Sequence, residues 1–417
     1  MDRIILHSDI NNFYASVETL LHPEYKGKCM AVAGDPEKRH GIVLAKNEQA
    51  KAYGVKTGEA LWQAKKKCPD IIFVPPTYKK YAEYSRAVFD IYIRYTDLVE
   101  SFGQDECWLD TTSSVLLFGD GLKVANRLRE DIRKETGLTV SIGVSFNKIF
   151  AKLGSDIKKP DAVTLISKDN FKSIVWPLPA QSMIYIGRHT AQSLAGYNIN
   201  TIGDIAACDK KDLERLFGKT GARFYEYAWG LDNEPVKRYD DVHVPDSVGN
   251  GATTPQDITT PKDAARLIYA LSETIASRLR RLKVSAGGVA VSLRDNKLKT
   301  ITRQESLLSP IRTSSEIAEK AIEILARHYD FDLKPPLRTI TVTVFALVSA
   351  DEACQLSIFQ HDSTLDNVLE SNIDRLREKY GHGVIQRGLN MDTPYSCADR
   401  EDDDFLPFSK APPGKKD

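Results

Sequence analysis

With 417 residues, 42% of them hydrophobic and 27% charged, the chain is too long for one ordinary core and has the composition of a globular protein of roughly two to four domains. No apolar run approaches the ~18 residues of a membrane span, and the chain opens into a strand pattern with no signal-peptide layout, so a cytoplasmic location and no membrane partner are expected. Net charge is zero, which by itself speaks weakly against a nucleic-acid partner.

The average hides a gradient. Residues 351–417 carry eight basic and fourteen acidic residues, a net of −6, so residues 1–350 carry +6. Basic clusters at Lys65-Lys66-Lys67, Lys79-Lys80, Lys158-Lys159 and 278–283 suit either phosphate tracking or solvated helix faces. The cysteines Cys29, Cys68, Cys107, Cys208, Cys354 and Cys397 are scattered, without Cys-x-x-Cys, and read as buried or incidental thiols rather than zinc ligands or disulfides.

In chain order, strand patterns lie at 4–8, 30–33, 42–45, 71–74, 107–110, 139–144 and 163–166. Helical periodicity lies at 13–20, 59–66, 78–95, 121–135 and 148–157. Residues 170–236 are helical, with Gly-containing turns at Ile186-Gly187, Ile202-Gly203 and Phe217-Gly218. Such turns suit a helix-hairpin-helix grip on a DNA backbone or a plain helical packing module. Past a polar linker at 236–245, the order is strand, helix (262–282), strands (288–293 and 300–307), helix (315–329), strand (338–347), a ferredoxin-like β-α-β-β-α-β unit. An amphipathic stretch follows at 365–380, and the charged, proline-containing end from 398 to 417 is expected to be disordered.

Three carboxylates stand out. Asp9 ends the apolar run Ile4-Ile5-Leu6-His7-Ser8, and Asp105-Glu106 lies inside Phe102-Gly103-Gln104-Asp105-Glu106-Cys107-Trp108-Leu109-Asp110. Neighbouring strand residues face opposite ways, so joint use of Asp105 and Glu106 requires a bend or strand end. Magnesium prefers oxygen ligands and takes one or two carboxylates plus substrate phosphates. Two such ions would be bridged by Asp9 and Asp105, with Glu106 on the ion that activates an attacking hydroxyl and the Ile10 carbonyl as a further ligand.

These motifs resemble those of the Y-family translesion DNA polymerases. The segment from Asp9 to Glu18 is similar to the family's first motif, an acid followed by paired aromatics. Asp105-Glu106 sits where the family has its acidic pair. Ser141-Ile142-Gly143-Val144-Ser145-Phe146-Asn147-Lys148, then Ala151-Lys152 and Lys159-Pro160, resembles the third motif. The resemblance implies a right-hand α+β multidomain polymerase: palm and fingers over 1–170 (fingers about 20–76), a helical thumb over 171–236, a ferredoxin-like little finger over 244–350 and a tail over 351–417. It implies Tyr14 as steric gate, and Lys159, Lys51 and Phe13 near the triphosphate.

The chain departs from the family pattern in the fingers, where Glu48 stands for a tyrosine and Lys51 for an arginine; Asn47 to Lys51 is closer to the UmuC-like branch. Gly103-Gln104 replaces Ser-Ile before the acids, Trp108 replaces Tyr, Asp161-Ala162 replaces Asn-Gly, and Tyr185 alters the first thumb turn. In the tail, Gln355, Leu356, Ser357, Ile358 and Phe359 resemble the peptide that bacterial proteins insert into the sliding clamp.

The implied activity is template-directed, magnesium-dependent DNA synthesis across damaged bases, with low fidelity and no proofreading. Primer-template DNA, deoxynucleoside triphosphates and the sliding clamp are the implied partners, with a monomer on DNA and induction in an SOS response. A catalytically weak accessory scaffold is the alternative, which the presence of all three acids opposes. A nucleotide cyclase shares paired acids but needs neither the thumb-like nor the little-finger-like region.

Overall fold

The computed structural model describes residues 2–35, 37, 41–241, 244–350 and 364–390. The expected clamp-binding residues Gln355, Leu356, Ser357, Ile358 and Phe359 and the charged end at 398–417 lie outside them. The described residues fall into two compact units, one holding 2–34 and 42–241, the other 35, 37, 41, 244–350 and 364–390.

The first unit begins with β1 (Ile5–Ile10), whose six residues are all buried. A strand buried on both faces belongs in the middle of a sheet. Asn12, at φ 49, turns the chain into α1 (Phe13–Leu21). Next come β2 (Met30–Ala33), β3 (Val43–Lys46), α2 (Glu48–Ala52), α3 (Leu61–Lys67) and β4 (Ile72–Val74). These build a small sheet in the order β3-β2-β4, with its own core of Ala31, Val43, Ala50, Val55, Ala64, Cys68 and Ile71. The helix α2 was not legible in the sequence: it is one turn long, started by the Asn47 side chain, which accepts from Ala50 N–H.

Then follow α4 (Tyr78–Tyr92), three residues shorter than its periodicity, β5 (Val99–Ser101), β6 (Glu106–Asp110), α5 (Val115–Phe118), α6 (Gly121–Thr136), β7 (Val140–Ser145), α7 (Lys148–Ile157) and β8 (Val163–Leu165). The main sheet runs β5-β6-β1-β7-β8. Side chains of β1 alternate between its faces. Leu6 and Ile10 join the core that includes Tyr92 of α4 and Leu128 of α6, and Ser8 accepts the Tyr92 hydroxyl at 2.8 Å. His7 and Asp9 face α7 instead.

Gly143 sets how closely α7 approaches. A Cβ there would lie 1.9 Å from the Ala151 carbonyl oxygen and 2.6 Å from the Ser155 nitrogen. A Cβ on Gly154 would in turn lie 2.9 Å from the Gly143 Cα. The helix therefore rests backbone to backbone on the sheet, which only a glycine pair permits.

Helices α8 (Phe171–Val175), α9 (Arg188–Ala195), α10 (Ile202–Ala207), α11 (Lys210–Phe217) and α12 (Lys219–Ala228) complete the unit around Phe150, Leu194, Ile205, Leu213 and Phe224. Two of the Gly-containing turns expected here are present: Gly187 caps α9 and Gly218 turns at φ 64; at the third, Ile202 and Gly203 are instead the first residues of α10, which Thr201 caps, and Gly221, inside α12, brings that helix onto the Leu213 carbonyl of α11.

The second unit holds β9 (Ser247–Ile258), α13 (Pro261–Leu282), β10 (Val284–Asp295), β11 (Thr300–Ile311), α14 (Ser314–His328) and β12 (Leu337–Ser349). Its antiparallel sheet runs β11-β10-β12-β9, so each crossover helix skips over one intervening strand, the split β-α-β pairing expected from the element order. Helix α15 (Thr364–Tyr380) matches the amphipathic stretch. Its charged side faces inward: Arg280 pairs with Glu370 and, at 2.7 Å, with Asp374, while Arg377 pairs with Glu273 at 3.0 Å. Leu365, Val368, Leu369, Leu376 and Tyr380 are exposed. Among the described residues no helix is long and apolar enough to cross a membrane.

Candidate active site

Antiparallel pairing sets Asp9 of β1 directly opposite Glu106 at the start of β6, and opposite Ser141 of β7. Asp105 precedes β6 in a bend over residues 102–105, and its carbonyl accepts from Ile10 N–H at 2.9 Å. That bend resolves the alternation problem: Asp105 is not a strand residue, so it and Glu106 are free to serve one site. Gly103, at φ 96, allows the bend, because an L side chain is strained in that region.

Two lysines from the α7 side reach these acids. Lys152 places its Nζ 2.9 Å from Glu106, 3.5 Å from Asp9 and 3.2 Å from Asp156. Lys159, just past the end of α7, lies 2.8 Å from Asp9 and 2.9 Å from Asp156. Three carboxylates thus contact two ammoniums, leaving negative charge in a desolvated place.

The proton affinities follow. Burial, then the charges of Asp9 and Glu106, push Asp105 up to about 7. Burial also raises Asp9, against the pull of Lys159 and Lys152. Burial opposes the charge on Lys152, but Glu106, Asp156 and Asp9 outweigh it and hold the ammonium above its ordinary range. On Lys159, burial is likewise outweighed by Asp9 and Asp156.

Among the described residues no group of three His, Cys, Asp or Glu is arranged to hold a metal ion. The donor set nevertheless fits a hard divalent cation. Its oxygens are carboxylates, the charges of Asp9 and Glu106 raise the proton affinity of Asp105, and the two lysine charges leave the cluster under-compensated. Asp9, Asp105 and Glu106 are the residues that would hold it.

Behind the acids, His7 is fully buried, with Nδ1 2.9 Å from the Ser155 hydroxyl and Nε2 3.5 Å from Glu106. Burial holds this imidazole well below its ordinary proton affinity, with Lys152 adding to the effect. Trp108 packs edge-on to His7 and donates to the Lys148 carbonyl at 3.0 Å.

The impB/mucB/samB family model matches residues 8–156, and the model of that family's C-terminal domain matches 245–358. DNA polymerase IV of Acetivibrio thermocellus is 46% identical over 392 residues, 93% of this chain and 98% of that protein. DNA polymerase IV 1 of Bacillus subtilis is 36% identical over 391 residues, 93% of each. A solved Y-family DNA polymerase chimera of Dbh and Dpo4 superposes with a TM-score of 0.75 at 24% identity, covering 83% of this chain and 99% of that one. The chain belongs to the Y-family of DNA polymerases.

In this Y-family chain the remaining expected site residues are scattered around the acids. Tyr14 stacks on Tyr81, with centroids 4.1 Å apart and planes 11° from parallel. Burial, then the Asp105 charge, raises its phenol, so it stays neutral. Phe13 is buried against Tyr81. Its ring is therefore not the group that meets a triphosphate, and what it can offer is a main-chain N–H in the first turn of α1. Lys51 is half-exposed on α2 and lies 3.4 Å from Glu48, which also accepts from the Asn12 side chain at 2.9 Å.

Sequence reasoning gave no role to Lys152, Asp156 or His7. A signal for the first two was present: Lys152 and Asp156 stand four residues apart on α7, with Lys159 three further on, so one helix side collects all three. His7 carried the same signal as Asp9, two positions along one strand face.

Proposed function

We propose that this chain extends a primer on a DNA template across damaged bases, using Asp9, Asp105 and Glu106 to hold two magnesium ions. The observation that carries the reading is the convergence of these acids at the ends of adjacent strands, with more negative charge than Lys152 and Lys159 offset. Bound magnesium lowers the pKa of a primer 3′-hydroxyl and neutralises charge on the leaving pyrophosphate.

The protein's own groups do the rest. The 3′-oxygen attacks the α-phosphorus in line, and the site's work is positioning. Lys159 exchanges its contact with Asp9 for the incoming triphosphate, and Lys51 approaches it from α2 as a point charge, without the bidentate fork of an arginine. Tyr14, braced by Tyr81, closes the space that a 2′-hydroxyl would need, so deoxynucleotides are chosen by exclusion.

Residues 1–170 act as palm and fingers (the latter about 20–76), 171–236 as thumb and 244–350 as little finger. In the tail over 351–417, Gln355, Leu356, Ser357, Ile358 and Phe359 engage a sliding clamp and raise the effective concentration of a monomer at the primer end. Low fidelity without proofreading, in the cytoplasm, completes the reading.

Primer extension on intact and lesion-bearing templates, with and without magnesium, tests it. Asp105→Ala and Glu106→Ala each abolish incorporation while leaving DNA binding in place; undiminished synthesis by either would sink the assignment.

A further inference from the structure

The cysteines read as scattered along the chain are not all scattered in space. Cys29 precedes β2, Cys68 caps the C-terminus of α3, and their sulfurs are 2.7 Å apart. That is inside the ~3.5–4.0 Å at which non-bonded heavy atoms rest and outside the ~2.05 Å of a bonded pair; both thiols are free. The surroundings hold them there. Cys29 O accepts from Ile72 N–H at 2.9 Å, Cys68 N–H donates to the Ala64 carbonyl at 2.9 Å, and Cys68 O accepts from Ile71 N–H at 3.1 Å. Cys68 is buried and Cys29 partly exposed.

We propose that Cys29 and Cys68 form a covalent modification site, at which a hydroperoxide converts the two thiols to a disulfide across the base of the β3-β2-β4 module. In the first step the Cys29 sulfur takes one oxygen from the hydroperoxide, becoming a sulfenic acid and releasing water or an alcohol. In the second the Cys68 sulfur displaces that oxygen as water, and the sulfur–sulfur bond forms. Two thiols are oxidised and one hydroperoxide is reduced. Burial, then the contact with Cys68, pushes the Cys29 thiol up to about 12, so the first step is slow at neutral pH and needs sustained oxidant. The bond closes a span of 39 residues that contains β2, β3, α2 and α3, and with them Glu48 and Lys51. It would staple the segment that carries the expected triphosphate lysine, without touching the acidic site.

The test treats the full-length folded protein with hydrogen peroxide, alkylates remaining thiols, digests with trypsin and maps disulfides by mass spectrometry. The peptides spanning 29–38 and 68–79 are expected to be joined as the main oxidised form of both cysteines and to separate on reduction. In Cys29→Ser the joined form is absent and Cys68 remains alkylatable. Recovery of both cysteines as alkylated thiols, their conversion to sulfinic acids without joining, or preferential joining to Cys107 or Cys208 would each overturn the proposal. The readout is independent of polymerase activity.

Discussion

Asp105 offers the sharpest quantitative test of the site's electrostatics. Its carboxyl is pushed up from 3.8 to about 7, first by burial and then by Asp9 and Glu106. In the metal-free protein the folded state therefore keeps a proton that the unfolded chain releases. Stability from this group is fully present below the unfolded value and is lost as pH rises towards 7. At about 1.4 kcal/mol per pH unit the loss reaches about 4 kcal/mol above pH 7. Asp105→Asn removes the titration and keeps the shape. With chelator present, the variant should exceed the parent by about 2 kcal/mol at pH 5 and by about 4 kcal/mol at pH 8 in urea unfolding. Magnesium at pH 8 should then stabilise the parent more than the variant and narrow the gap. A gap that stays constant or shrinks between pH 5 and pH 8 would refute the raised proton affinity of the buried Asp105 carboxyl.

Gly143→Ala places a methyl 1.9 Å from the Ala151 carbonyl oxygen, so α7 must lift away and carry Lys152 with it. Unfolding titration should show a cost above the ~1–3 kcal/mol of ordinary overpacking, and an unchanged midpoint would contradict the backbone contact. Tyr14→Ala opens the space beside Tyr81, and the ratio of ribo- to deoxynucleotide incorporation should rise roughly 10-fold or more; an unchanged ratio would remove Tyr14 from the gate. Glu370→Ala strips Arg280 of a carboxylate partner and leaves the Ser314 N–H without its acceptor. The docking of α15 should weaken by about 3 kcal/mol, read as faster hydrogen exchange over 364–380; equal exchange in parent and variant would show that the charged face does not hold the helix.

Much of the site was legible because its chemistry sits in short segments. Asp9 follows an apolar run with a strand pattern, and Asp105-Glu106 precedes another. Helical periodicity over 148–157 matches α7, whose start the Asn147 side chain makes by accepting from Phe150 N–H. The second unit was readable from alternating periods of two and 3.6 residues, since both its helices and its strands are long. Short pieces escaped. Helix α2 has five residues and β5 three, too few for a period to show, and both exist because neighbours supply what their own hydrogen bonds lack.

Local sequence determined which residues carry acid, base and ring, and which faces of the long elements are apolar. Only the tertiary structure decided which groups meet. Lys152 lies 143 positions from Asp9, and Cys29 lies 39 from Cys68. The bend at 102–105 keeps Asp105 out of the strand that Glu106 begins, which sequence alternation did not foresee. In α15 the apolar stripe stayed outside, because the surface that receives the helix presents Arg280, Glu273 and Arg387. The physical reason is common to all of these. Periodicity reports what one element asks of its surroundings, whereas a desolvated charge or a glycine contact depends on what another element brings to the same place.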